Sequence, residues 1–223
     1  MNNDDAPLLD EARHWQVAFE RGQVIYDEGD PATAMYRVDE GCVRLQINGA
    51  DGHRQILAFL LPGDHFGYSI DQQVSSAEAV TDVTLTRYPL QSVLELSARS
   101  TEVTIKLIRT SNQQYRELAH HVAHVAHLPA AERVQWFFTW LWRHEGGRPG
   151  RTVPLPMSRR DIGDFLGLAP ETLSRVLKEL ADEGVLTING RRSFTLRRTA
   201  FDVGDGESAG AAREAGGTSD VSP

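Results

Sequence analysis

Near the end of the chain a carboxylate, a hydroxyl and a guanidinium recur at helical spacing: Glu171, Ser174 and Arg175. These groups can read base edges. Arg offers a fork of donors to the two acceptors of guanine, Glu accepts from the amino group of cytosine, and Ser fits several partners. Thr172, Arg191 and Arg192 lie close by in sequence. They suit phosphate contacts, which position a protein on a duplex without specifying sequence. Arg197 and Arg198 extend the same basic rim. A plain helical bundle with solvated charges is the competing reading. The basic rim favours double-stranded DNA, because binding phosphates requires cations of this kind.

These residues need a scaffold, and the flanking sequence describes one: helix, tight turn, helix, β-hairpin. Ser158 can cap the first helix, with Asp161 three residues on in an acidic variant of the capping box. Ile162, Phe165 and Leu166 form its apolar face. Gly167 permits the sharp turn, and Pro170 suits the first position of the second helix. Leu173, Val176, Leu177 and Leu180 bury one side of that helix, and Gly184 ends it. Val185–Ile188 and Ser193–Leu196 alternate as strands around Asn189-Gly190, a two-residue type I′ hairpin signal.

The string MSRRDIGDFLGLAPETLSR resembles the C-terminal domain of the Crp–Fnr family of bacterial transcription regulators, and within it the FixK-like branch. Glu171, Ser174 and Arg175 match the E-x-x-S-R pattern of the family's Fnr-like recognition helix. In the cyclic-AMP receptor branch an Arg precedes the Glu and a Gly precedes the second Arg; Pro170 and Ser174 stand there instead. The resemblance implies an α+β fold: an N-terminal cyclic-nucleotide-binding-like β-roll, a long dimerisation helix and a C-terminal winged helix-turn-helix. It also implies a TTGAT-N4-ATCAA-like palindrome, a homodimer, contact with RNA polymerase and a role as activator.

The net charge is −8 over 223 residues, which at first argues against a DNA partner. Its distribution answers this. Residues 151–198 hold nine Lys/Arg against six Asp/Glu, whereas residues 1–150 hold thirteen against twenty. An acidic remainder limits indiscriminate nucleic-acid binding. One cysteine supplies no disulfide framework. The longest apolar stretch, Ile56–Leu61, is too short to span a membrane. A cytoplasmic protein with no membrane partner and no enzymatic activity is expected.

In chain order, residues 1–12 read as a flexible arm and 13–98 as the β-roll, with glycine turns every 8 to 12 residues. Val43, Leu45 and Ile47 are expected on one strand face, and Ile56, Ala58 and Leu60 likewise. Residues 99–128 read as the dimerisation helix. Ile105, Ile108, Asn112, Tyr115, Ala119 and Val122 repeat at 3-4 spacing and form the expected dimer seam. Residues 129–198 form the DNA-binding domain. It is entered by a helix with Val134, Phe137, Phe138 and Leu141 inward, followed by a loop at Gly146–Pro156. Residues 199–223, rich in Gly, Ala, Ser and acid, read as a disordered tail.

What the chain senses is the open question at this level. The family's cyclic-nucleotide pocket carries G-E-L and R-S/T-A; here Gly67-Tyr68-Ser69 and Ser75-Ser76-Ala77 lack both charged residues. A phosphate buried without a cation is poorly compensated. An Fnr-type iron–sulfur cluster needs four cysteines, and only Cys42 exists. Cys42 shares strand parity with Arg44 and Gln46, so partial exposure and an inert thiol are expected. No cofactor is assigned. The rival is a haem- or metal-dependent sensor built on His120, His124 and His127, which fall on one helical face. Ordinary solvated imidazoles are the bland alternative.

Overall fold

The computed structural model describes Leu9 and residues 11–49, 52–148, 150–190 and 192–197. Among the described residues eight strands precede the long helices: β1 (Trp15–Phe19), β2 (Val24–Tyr26), β3 (Ala34–Glu40), β4 (Val43–Asn48), β5 (Arg54–Leu60), β6 (His65–Phe66), β7 (Ser76–Ala79) and β8 (Val83–Pro89). They form two antiparallel sheets, ordered β1-β8-β3-β6 and β2-β7-β4-β5. Strand alternation sends Ala34, Tyr36 and Val38 of β3 inward against Val43, Leu60, Phe66 and Leu85.

Alternation fails on β4 and β5. Leu45 pairs with Ala58 but Gln46 pairs with Ile56, so one residue of β5 is left over in a bulge. Ile56 therefore leaves the face of Ala58 and Leu60, where it was expected. It joins Phe59 and Leu61 in a cluster with the C-terminal helices. The expectation of a partly exposed Cys42 is also overturned. Cys42 precedes β4, is wholly buried and belongs to the same cluster. A strand face that points away from the roll interior is not a solvent face when a second layer covers it. Burial, reinforced by the charges of Asp161 and Asp64, pushes the Cys42 thiol well above its usual range.

Among the described residues five helices follow, with one strand between the third and the fourth. α1 (Leu90–Arg99) leads into α2 (Thr101–His127), whose start is capped by the Ser100 side chain accepting from the Val103 N–H at 3.3 Å. The end of the expected arm is anchored here rather than loose. Leu9 and Ala12 are buried with Met35, Tyr88, Val93, Leu96 and Val103; the rest of residues 1–10 lies outside the described residues. α3 (Ala130–His144) buries Val134, Phe137, Phe138 and Leu141. β9 (Thr152–Pro154) then falls in the stretch expected to be loop, pairing with the hairpin to come.

α4 (Arg159–Leu166) and α5 (Pro170–Asp182) form the helix-turn-helix. Gly167 sits at φ 61°, ψ 41°, the left-handed conformation that lets the chain turn between them. β10 (Leu186–Asn189) and β11 (Ser193–Leu196) complete a three-stranded sheet ordered β10-β11-β9. Asn189 pairs directly with Ser193. The connection therefore runs through residues 190–192 and is not the expected two-residue turn. Residues 198–223, including the expected disordered tail, lie outside the described residues. Among the described residues no helix is long and apolar enough to cross a membrane.

Candidate nucleic-acid interface

The capping box at the start of α4 is complete. The Ser158 hydroxyl accepts from the Asp161 N–H at 3.1 Å, and the Asp161 carboxylate accepts from the Ser158 N–H at 3.0 Å. α4 buries Ile162, Phe165 and Leu166, and so supports α5 from below. On α5, Leu173, Val176, Leu177 and Leu180 are buried, as the apolar period requires. That burial fixes the rotation of the helix. Glu171, Ser174, Arg175 and Lys178 are exposed, with Thr172 half-buried at their edge. The three candidate base-reading side chains thus share the solvent side of the first two turns.

Arg175 is 66% exposed and donates from Nη1 to Glu179 Oε1 at 3.2 Å, one turn along. The two residues stand four apart in sequence, the spacing at which helical side chains meet. An exposed pair of this kind is worth about 0–1 kcal/mol, so a base edge can displace Glu179 at little cost. Arg192 is exposed on the hairpin connection. Arg191 and Arg198 lie outside the described residues.

The six expected seam residues all lie on the exposed side of α2, with Ile108 55%, Tyr115 72% and Val122 57% accessible. The opposite side of α2 packs on its own chain. Val103 is buried, Leu107 packs against the same cluster, and Gln114 donates from Nε2 to the His65 carbonyl.

The histidine run behaves differently from the metal-site reading. Among the described residues no three His, Cys, Asp or Glu side chains converge as a metal site requires. His120 and His127 are exposed, whereas His124 meets Trp136 edge-on at 4.7 Å. The buried member is His121, which was not among the candidates. It stacks on Phe165 of α4 and on Trp136 of α3. Burial, with a smaller contribution from neighbouring His124, lowers its pKa to about 4. His121, with His124 beside it, thus packs α2 against α3 and α4. Helical spacing found His120, His124 and His127, but nothing local marked His121 as the most buried ring.

In the roll, Tyr68 and Ser75, which stand where the family's pattern has its charged pocket residues, are neutral; Tyr68 is half-buried and Ser75 is buried. Ser75, Ser76 and Ala77 are buried. The Ser76 hydroxyl accepts from the Glu28 N–H at 3.0 Å. Tyr36 and Phe66 stack at 5.1 Å beside Tyr26, filling the neighbouring interior with rings.

Four arginines converge elsewhere, in a cleft of about 260 Å³ between roll and helix-turn-helix lined by Arg21, Arg44, Arg54 and Arg160. The inner two are already matched by protein carboxylates. Arg44 pairs with Glu78 and Asp161, and Arg54 with Asp161 and Asp164. Burial works to raise the Asp161 pKa. The hydrogen bonds from Ser158, helped by Arg44 and Arg54, overcome it and hold the carboxyl below its usual value. The sequence marked Asp161 only as a helix cap.

A roll joined through a long helix to a winged helix-turn-helix defines a two-domain DNA-binding regulator. Residues 16–100 match the cyclic nucleotide-binding domain family, and residues 132–200 match the Crp-like helix-turn-helix domain family. The chain is 32% identical over 183 residues to the nitrogen fixation regulation protein FixK of Rhizobium meliloti, covering 82% of each chain. It is 34% identical to FixK of Azorhizobium caulinodans, covering 81% of this chain and 75% of that one. The structure of FixK2 from Bradyrhizobium japonicum is similar at a TM-score of 0.80 and 34% identity, covering 84% of this chain and 94% of the other. The chain belongs to the Crp–Fnr family of transcription regulators, and the relatives it matches are regulators rather than enzymes.

Proposed function

We propose that this protein is a homodimeric activator that binds a TTGAT-N4-ATCAA-like palindrome without cyclic nucleotide or iron–sulfur cluster. The observation that carries the reading is the first two turns of α5. Glu171, Ser174 and Arg175 stand exposed on a helix whose opposite side is locked by four buried apolar residues. In this reading Arg175 takes guanine, Glu171 a cytosine on the other strand, and Ser174 the adjacent thymine-side position. Thr172, Arg191 and Arg192 hold phosphates.

The exposed apolar residues of α2 support a two-fold pairing, and two-fold symmetry suits a palindrome. Asn112 within that seam sets register. The neutral, enclosed Ser75–Ala77 segment supports independence from cyclic nucleotide. Contact with RNA polymerase and a cytoplasmic location follow from the resemblance to FixK proteins. So do the proposed domain limits, with 13–98 as roll, 99–128 as dimerisation helix and 129–198 as DNA-binding domain.

The test is binding of purified, metal-free protein to the labelled palindrome, with a scrambled competitor, at about 150 mM salt, where non-specific binding is suppressed. Tight specific binding without additions is expected. Specific binding that appears only after haem, metal, reductant or nucleotide is added would replace this reading with a ligand-dependent sensor.

A further inference from the structure

The helix-turn-helix is fastened to its own roll by a buried, directional ion cluster. Arg54 of β5 donates from Nε to Asp164 Oδ2 at 2.9 Å and from Nη2 to Asp161 Oδ1 at 2.7 Å. Arg44 of β4 donates from Nη1 to the same Asp161 oxygen at 3.1 Å, from Nη2 to Glu78 at 2.6 Å and from Nε to Gln46 at 2.8 Å. Gln55 adds a bond from Nε2 to the Asp164 carbonyl at 3.0 Å. The side chains of Arg44, Arg54 and Asp161 are only 12%, 17% and 8% exposed. Both carboxylates belong to α4, the helix that supports the reading helix.

Apolar contact is also present, through Phe59 against Phe165 and Phe137. Apolar contact is non-directional, so it holds two surfaces together without setting their angle. A fork of guanidinium donors on two carboxylates one turn apart does set it. The cluster engages α4 and leaves the reading face of α5 exposed. The docked arrangement is therefore compatible with DNA.

We infer that Arg54, assisted by Arg44, is a positioning residue for DNA binding: it holds the helix-turn-helix at a fixed angle on the roll, so that both recognition helices of a dimer reach successive grooves together. This rests on the dimeric palindrome reading above. Its signature is specific. A single half-site needs only one recognition helix and is insensitive to the angle. A full palindrome gains from the second helix only if both are held in register.

The experiment uses the full-length chain and compares affinities for a full palindrome and for a duplex carrying one half-site. The proteins are the wild type, Arg54→Ala, Asp164→Asn and the exchange Arg54→Glu with Asp164→Arg. Thermal melting and sedimentation are run alongside. Arg54→Ala is expected to lower full-site affinity about tenfold or more with half-site affinity held within about twofold, and the exchange to recover part of the loss. Asp164 is not the helix cap, so Asp164→Asn gives the same test in a protein whose capping box is intact. An unchanged ratio of full-site to half-site affinity in both single variants overturns the inference, as does an equal fall on both duplexes. If the wild type itself shows no preference for the full site, it is the dimeric reading that fails.

Discussion

His121 of α2 lies face-on against Phe165 of α4, with ring centroids 4.0 Å apart and planes 7° from parallel. The stack joins the long helix to the helix-turn-helix and requires a neutral imidazole, since burial lowers its pKa to about 4. In the unfolded chain the same side chain titrates near about 6.5. The unfolded state therefore binds the extra proton first as pH falls. The stack's contribution is fully present above about pH 6.5 and is lost progressively down to about pH 4. Asp64 works in the opposite direction, because burial raises its pKa to about 6. A comparison of variants isolates the histidine. The stability of His121→Phe relative to wild type should rise between pH 7 and pH 5 in urea titrations. An equal difference at both pH values would rule out a histidine held neutral by the fold.

Arg175→Ala should remove preference for the base it reads, at a cost of about 1–3 kcal/mol at that position. Its only described partner, Glu179, is exposed, so the fold should be unaffected. Titration against the palindrome and a duplex altered at that base pair measures the loss. If Arg175→Ala discriminates between them as well as the wild type, the base assignment is wrong.

Ile108 and Tyr115 are 55% and 72% exposed on their own chain. Ile108→Glu should leave the monomer fold intact and abolish pairing in sedimentation. Affinity for the full palindrome should fall about 100-fold or more as the second binding event ceases to be intramolecular. A dimer that survives Ile108→Glu would move the interface off this face of α2.

Arg192→Ala should weaken specific and non-specific binding alike. The slope of log affinity against log salt should become shallower by about 0.9, the value for one lost phosphate contact. A change confined to the specific site would instead assign Arg192 to base reading.

Cys42 should resist thiol reagents in the folded protein and react at once in denaturant, because it is wholly buried and its thiolate is disfavoured. Rapid labelling under native conditions would contradict the packing of roll against helix-turn-helix.

The helix α5 was legible in the sequence, and so were the Ser158 cap of α4, the turn at Gly167 and the exposed apolar stripe of α2. Ser158, Gly167 and Pro170 act within a turn or two of themselves. The apolar periods of α2 and α5 determine which sides of those helices are left exposed, whatever they later meet. Tertiary structure alone decided three other matters. Asp161 and Asp164 find Arg44 and Arg54 more than a hundred residues away. Ile56 crosses to the outer face through a bulge that no alternation rule announces. Cys42 and His121 are buried only because the two domains share one core. Caps and periods are local properties of the chain, and the sequence by itself determined them. The partner of a buried charge, or the cover on a strand's outer face, depends on how one domain docks on the other.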